Sequence, residues 1–215
     1  MWQKKIGSSE VKSAIVDPFL RAIQALRRGE VIVFPTETFY GLGVDALNAA
    51  AVKRVVDLKG RQTDSPIAVI VANREMLEML VTEIPPLAER LMEHFWPGPL
   101  TLVLPARSQL PTPLLNRDGG IGVRISSHPL AARLVQEFGQ PITATSANST
   151  GKEPARTLEE ARAYFAGNVM VVLDGGRLMG EKGSTVVEVR PGELRMIREG
   201  EISAAEIRKA MHFSH

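Results

Sequence analysis

Residues 17–34, DPFLRAIQALRRGEVIVF, decide the fold class. Asp17 and Pro18 suit an N-cap and first helical residue, Phe19, Ile23 and Leu26 fall on one face, and Gly29 is placed to close the helix. Val31 to Phe34 then reads as a buried strand, so the chain opens on a helix that feeds a strand. The pattern repeats outward. Pro35 to Gly43 reads as a turn-rich loop, Asn48 caps a helix running to about Leu58, and Ile67 to Val71 is a second apolar run. Two short helices, around Arg74 to Leu80 and Leu87 to His94, precede a tight turn at Trp96 to Pro99 and the strand Leu100 to Leu104. A Pro- and Gly-rich loop, Ser108 to Gly120, leads to a strand over Ile121 to Ile125, a helix over Leu130 to Phe138 ended by Gly139, and a strand over Pro141 to Thr145. Thr157 to Phe165 is helical and Val169 to Leu173 a strand. Ser184 to Val189 and Leu194 to Arg198 form a closing hairpin, and Ser203 caps a final helix. Strands and helices alternate with no fixed repeat, which predicts an α/β domain with an open mixed sheet, read as a single domain over residues 1–215. In such sheets the strand-end loops carry the site.

The chain has 215 residues, 44% of them hydrophobic, enough for an ordinary core. Its 26 Lys and Arg against 24 Asp and Glu give a net charge of +2, too small for wholesale nucleic-acid binding but compatible with a local basic patch and a small anionic ligand. The absence of cysteine excludes disulfides, thiolate metal sites and Cys nucleophiles. The four histidines are scattered with no ligand spacing. With no apolar leader and no membrane-length apolar run, a cytoplasmic protein with no membrane partner is expected.

Two nucleotide signatures fail. Gly41-Leu42-Gly43 follows a strand, but the third glycine of a dinucleotide fingerprint would fall at Ala46. In Gly175 to Ser184, Glu181 stands where a P-loop needs lysine. The positive signals are short. Lys59-Gly60-Arg61 on a loop, with Ser65 nearby, offers a point charge and a fork suited to polyphosphate; taken alone, a solvated surface pair is the commoner reading. Thr143 to Asn148 ends an apolar strand in hydroxyls and an amide able to orient phosphate or ribose, or to serve as ordinary turn chemistry. Pro35-Thr36-Glu37-Thr38 and Ser184-Thr185 are further polar clusters. Arg124, inside an apolar strand, needs an anionic partner, either an internal carboxylate or one from a ligand. Trp96 reads as core.

Together these segments resemble the YrdC-like family of threonylcarbamoyl-AMP synthases. The resemblance rests on PTETFYGLG (Pro35 to Gly43), Asp45 with Asn48, KGR (Lys59 to Arg61), FWPGPLTLVL (Phe95 to Leu104), GVR (Gly122 to Arg124) with His128 and Pro129, SAN (Ser146 to Asn148), Asp174 to Gly176 and STV (Ser184 to Val186). It implies a twisted open mixed sheet flanked by helices, with a concave basic face binding ATP and L-threonine. By that likeness Lys59, Arg61, Ser146 and Asn148 are the catalytic and nucleotide positions, Ser65 and Arg198 further ATP contacts, and Thr38, Arg124, Ala144 and Ser184 the threonine site. The implied reaction uses bicarbonate as well, with Mg²⁺ accompanying ATP and no metal held by protein side chains. Its product would reach tRNA indirectly, through downstream proteins that complete threonylcarbamoyladenosine (t6A). The departures are Ile70, where many relatives carry histidine, and Arg198-Glu199-Gly200 and Glu181-Lys182-Gly183, which lean toward YciO-like paralogues. The retained KGR and SAN lean the other way. A chain ending at His215 is expected to lack the extra C-terminal domain of longer members. The alternatives are a YciO-like paralogue, a carbamoyl-transfer domain of hydrogenase maturation, and a double-stranded RNA- or tRNA-binding protein.

Overall fold

Asp17 does cap the first helix, its carboxylate accepting from Phe19 N at 2.9 Å in a computed structural model that describes residues 17–60, 66–148, 151–165, 167, 169 and 171–212. Helix α1 (Pro18–Arg27) buries Phe19, Ala22, Ile23 and Leu26 and ends at Gly29, φ +69°. The chain then enters β1 (Ile32–Pro35) and turns straight back as β2 (Tyr40–Gly43). Half of the expected loop is therefore a strand, antiparallel to β1 with Ile32 opposite Gly43 and Pro35 opposite Tyr40. A Cβ on Gly43 would lie 2.7 Å from the Phe34 ring and 2.9 Å from Ile142, so the residues that made this stretch look like a loop are ones its packing demands.

Asn48 caps α2 (Ala49–Lys59) by accepting from Ala51 N at 3.1 Å, and Gly60, φ +60°, ends it. Lys59 is thus the last helical residue and not part of the loop in which the sequence placed it. There follow β3 (Val69–Ile70), α3 (Arg74–Glu78), α4 (Pro86–Phe95), β4 (Leu100–Pro105), β5 (Gly120–Arg124), α5 (Pro129–Phe138), β6 (Ile142–Thr143), β7 (Thr145–Ser146), α6 (Leu158–Tyr164), β8 (Val171–Val172), the hairpin β9 (Thr185–Arg190) and β10 (Glu193–Arg198), and α7 (Ala204–His212). Trp96 packs against the core and donates Nε1–H to Leu100 O at 2.7 Å.

The strands of this mixed α/β fold divide between two open sheets, ordered β7-β2-β1-β8 and β10-β9-β4-β5-β3-β6. The β1–β8, β3–β5 and β4–β9 pairs are parallel and the others antiparallel. The two sheets are stitched at Ala144: Thr143 pairs with Val69 of the larger sheet, whereas Thr145 pairs with Leu42 of the smaller one. Thr143 supports the switch by accepting Val44 N–H on its hydroxyl at 3.0 Å. Apolar side chains from both sheets and the helices form one buried cluster. No helix among the described residues is long and apolar enough to cross a membrane.

Candidate active site

A cavity of ≈ 780 Å³ opens between the β1–β2 turn, the β7 strand and the face formed by β4, β5, β9 and β10. Thr38, Arg124, Ala144, Ser146, Ser184 and Arg198, drawn from segments up to 160 positions apart in sequence, all line it. Arg117 and Arg195 also reach it, so four arginines face two lining carboxylates, Asp118 and Glu199. The wall is basic, as a small anion requires.

Lys59 and Asn148 stand behind this lining. The Lys59 side chain is buried, and its ammonium donates to Ser146 O at 2.5 Å, Asn148 O at 3.0 Å and Asn148 Oδ1 at 3.1 Å. Ser146 Oγ donates to the same Oδ1 at 2.7 Å, and Asn148 Nδ2 donates to Lys152 O. A charge taken from water is stabilised here by oxygen dipoles, and the same bonds fix the turn that presents Ser146. The helix end and the SAN turn, 87 residues apart, therefore form one unit. Arg61 and Ser65 lie outside the described residues; Pro66, just beyond them, lines the cavity.

Arg124 ends β5 with its side chain 7% exposed. Its Nη1 is 3.1 Å from Glu37 Oε1, so the internal carboxylate that the sequence left open does exist. The charges are in contact, but no N–H points along the line between them. Glu37 Oε1 and Arg124 Nε are both buried without a hydrogen-bond partner. The other oxygen of Glu37 accepts from the Ser126 hydroxyl. His128 Nδ1 accepts Leu130 N–H at 3.2 Å and caps α5; burial lowers its pKa, opposed by the charge of Glu37, and its geometry is that of a cap. Thr36 Oγ donates to Phe39 O at 2.7 Å and closes the turn that sets Thr38 on the rim.

On the β9–β10 side, Arg198 donates to Ser184 O from Nη2 at 2.7 Å and from Nε at 3.2 Å, and Thr101 donates its hydroxyl proton to Ser184 Oγ at 2.9 Å. Below the rim, Glu188 gathers Arg190, Arg195 and Asn116, which ties the loop bearing Arg117 to the hairpin. Sequence reasoning named neither Thr101 nor Arg117 as site residues, and quoted Glu37 without a role. The available signal for Glu37 was a carboxylate between two threonines, in a chain where Arg124, inside an apolar strand, needed an anionic partner.

Two mixed sheets enclosing a basic, hydroxyl-rich cavity define an α/β protein that binds small anionic ligands. The chain belongs to the Sua5/YciO/YrdC family, whose model, described as telomere recombination, matches residues 24–200. It is 38% identical over 186 residues to the threonylcarbamoyl-AMP synthase of Pyrococcus abyssi, which covers 86% of this chain and 55% of the relative. To the enzyme of that name from Shigella boydii it is 36% identical over 188 residues, 86% of this chain and 94% of the relative. The crystal structure of P. abyssi Sua5 complexed with L-threonine superposes with a TM-score of 0.86, at 37% identity over 91% of this chain and 57% of that one. The E. coli YciO crystal structure gives a TM-score of 0.78 at 26% identity, over 88% of this chain and 92% of that one. The chain thus spans little more than half the length of the Pyrococcus protein and nearly all of the Shigella one.

Proposed function

We propose that the chain joins L-threonine, bicarbonate and ATP to form threonylcarbamoyl-AMP and pyrophosphate, the activated intermediate for t6A in tRNA. The observation that carries this reading is the buried Arg124, with an unpartnered Nε, in the same cavity as the Ser146 turn that Lys59 holds. One end suits an amino-acid carboxylate and the other a phosphate group. Family membership and the names of the relatives support the same chemistry.

In the proposed reaction the threonine ammonium loses a proton to solvent and the free amine takes up bicarbonate with loss of water, giving a carbamate that is anionic near neutral pH. A carbamate oxygen forms a bond to the α-phosphorus as the bond to pyrophosphate breaks. No strong general base is needed, so the protein's task is positioning and charge neutralisation. Arg124, Thr38, Ala144 and Ser184 would hold threonine. Ser146, Asn148, Lys59, Arg61, Ser65 and Arg198 would hold the nucleotide, Lys59 chiefly by fixing the turn. A magnesium ion carried by the triphosphate would, when bound, supply further charge neutralisation there.

The test is to mix protein, ATP, threonine and bicarbonate and to follow pyrophosphate and product mass. Threonylcarbamoyl-AMP should appear only when all three substrates are present. ATP turnover indifferent to threonine would overturn the assignment.

A further inference from the structure

Thr101, Val103, Gly122, Arg124, Ser184 and Val186 line the sheet face of the cavity, from β4, β5 and the entry to β9. Their chain neighbours Leu100, Leu102, Ile121, Val123, Thr185 and Val187 are completely buried in the core. This alternation with a period of two puts the side chains of Thr101 and Ser184 on the cavity side.

The backbone under Ser184 is pinned. The Thr185 hydroxyl donates to Ile202 O at 2.5 Å and accepts Gly200 N–H at 2.9 Å and Ile202 N–H at 3.0 Å, while Thr185 N–H donates to Pro99 O at 2.9 Å. What is left to orient is the Ser184 hydroxyl, a group that can in general donate or accept. Here it accepts twice, from the Thr101 hydroxyl at 2.9 Å and from Arg198 Nη2 at 3.3 Å. Both lone pairs are then engaged, and among the described residues none accepts its proton. That proton is satisfied by an acceptor arriving from the cavity. Thr101 is itself held to its task. Its χ1 is stiff because it is β-branched, and its methyl occupies space that only a glycine at 122 leaves open, since a Cβ there would lie 3.2 Å from Thr101 Cγ2.

We infer that Thr101 is a positioning residue for substrate binding: by donating to Ser184 Oγ it commits the Ser184 hydroxyl to donate into the cavity, toward an acceptor oxygen of threonine. The inference deepens, and rests on, the proposed reading that Ser184 holds L-threonine. Thr101 acts through Ser184 and need not touch the substrate.

The experiment measures threonine and ATP affinities by calorimetry for the unmodified protein, Thr101→Val, Thr101→Ser, Ser184→Ala and the double variant. Thr101→Val keeps the shape of the side chain and should weaken threonine by roughly 3- to 10-fold, the scale of one hydrogen bond between neutral groups, with ATP affinity within about 2-fold of the parent. Thr101→Ser retains the hydroxyl and should bind threonine nearly as the parent does. In the Ser184→Ala background Thr101→Val should cost less than about 2-fold more, because the group it orients is gone. No loss in Thr101→Val, the same loss in both backgrounds, or an equal loss in Thr101→Ser would overturn the inference, as would a Ser184→Ala protein that binds threonine like the parent. Should Thr101→Val not fold, Thr101→Ala, which also removes the hydroxyl, takes its place in the cycle. Threonine binding with additive variants sinks the inference alone; no threonine binding by the unmodified protein sinks the proposed function with it.

Discussion

Lys59 and Arg124 are buried to nearly the same degree, 5% and 6% exposed, yet their surroundings differ in kind. Lys59 donates to three oxygens, two of them backbone carbonyls and one a side-chain amide. Arg124 has a full counter-charge at 3.1 Å and still leaves its Nε without an acceptor. A cation stripped of water needs both charge compensation and hydrogen-bond acceptors; Lys59 is supplied with acceptors, whereas Arg124 has a counter-charge and lacks an acceptor at Nε. The satisfied cation acts as a strut and the unsatisfied one as a receptor.

If that contrast is right, removing the strut does the greater damage. Lys59→Met should remove a charged donor from Ser146 O, Asn148 O and Asn148 Oδ1, of which Ser146 O keeps Asn148 N–H and Oδ1 keeps the Ser146 hydroxyl, and lower stability by roughly 1–3 kcal/mol. Turnover should drop by about 10²- to 10³-fold, because the Ser146 turn loses its fixed geometry. Thermal melting and pyrophosphate release on the same preparation check both. A variant that melts like the parent and loses only affinity for ATP would break the contrast, since Lys59 would then be a simple phosphate ligand.

Arg124→Lys probes the receptor and should act more narrowly. The point charge keeps its attraction to Glu37, but the fork that presents Nε is gone. KM for threonine should rise by roughly 10- to 100-fold while KM for ATP and the melting temperature stay near parental values. Equal rises in both KM values would mean that Arg124 organises the whole cavity rather than one end of it.

The strut and the receptor were not equally legible in the sequence. Local signals were read correctly at several caps and glycines: Asp17, Asn48 and Ser203 each accept a backbone N–H at a helix start, and Gly139 has φ +77°. What failed needed partners far along the chain. Tyr40 to Gly43 carries two glycines and little β-branching, and is a strand because β1 and the Ser146 segment pair with it. The division into two sheets turns on Ala144, whose neighbours face different strands, and no spacing rule announces that. Lys59 and Arg124 were both marked by residue type and motif. That one would be saturated and the other not depends on residues 87 positions away from Lys59 and on a Glu37 whose role no local pattern reveals.

A third buried charge extends the contrast with the smallest expected effect. Glu188 is 5% exposed, yet unlike Glu37 it is saturated, accepting from Arg195 Nε at 2.9 Å, Arg190 Nη2 at 3.1 Å and Asn116 Nδ2 at 3.3 Å. Burial pushes its pKa up, but these bonds outweigh burial and hold the carboxyl below its ordinary value. The unfolded chain therefore takes up the proton first as pH falls. The stability that Glu188 supplies is complete above the ordinary glutamate range and is lost as pH drops through the depressed folded-state value. Both arginines are more than a third exposed, with side chains at 39% and 53%, so solvent screening limits the gain to about 1 kcal/mol. Glu188→Gln should thus lower the melting temperature near neutral pH by only roughly 2–4 °C. The gap from the parent should close as pH is lowered through the depressed folded-state value, where the parental carboxylate is itself protonated. A gap that stayed constant across that range would show that shape and packing, not the saturated charge, account for the contribution of Glu188.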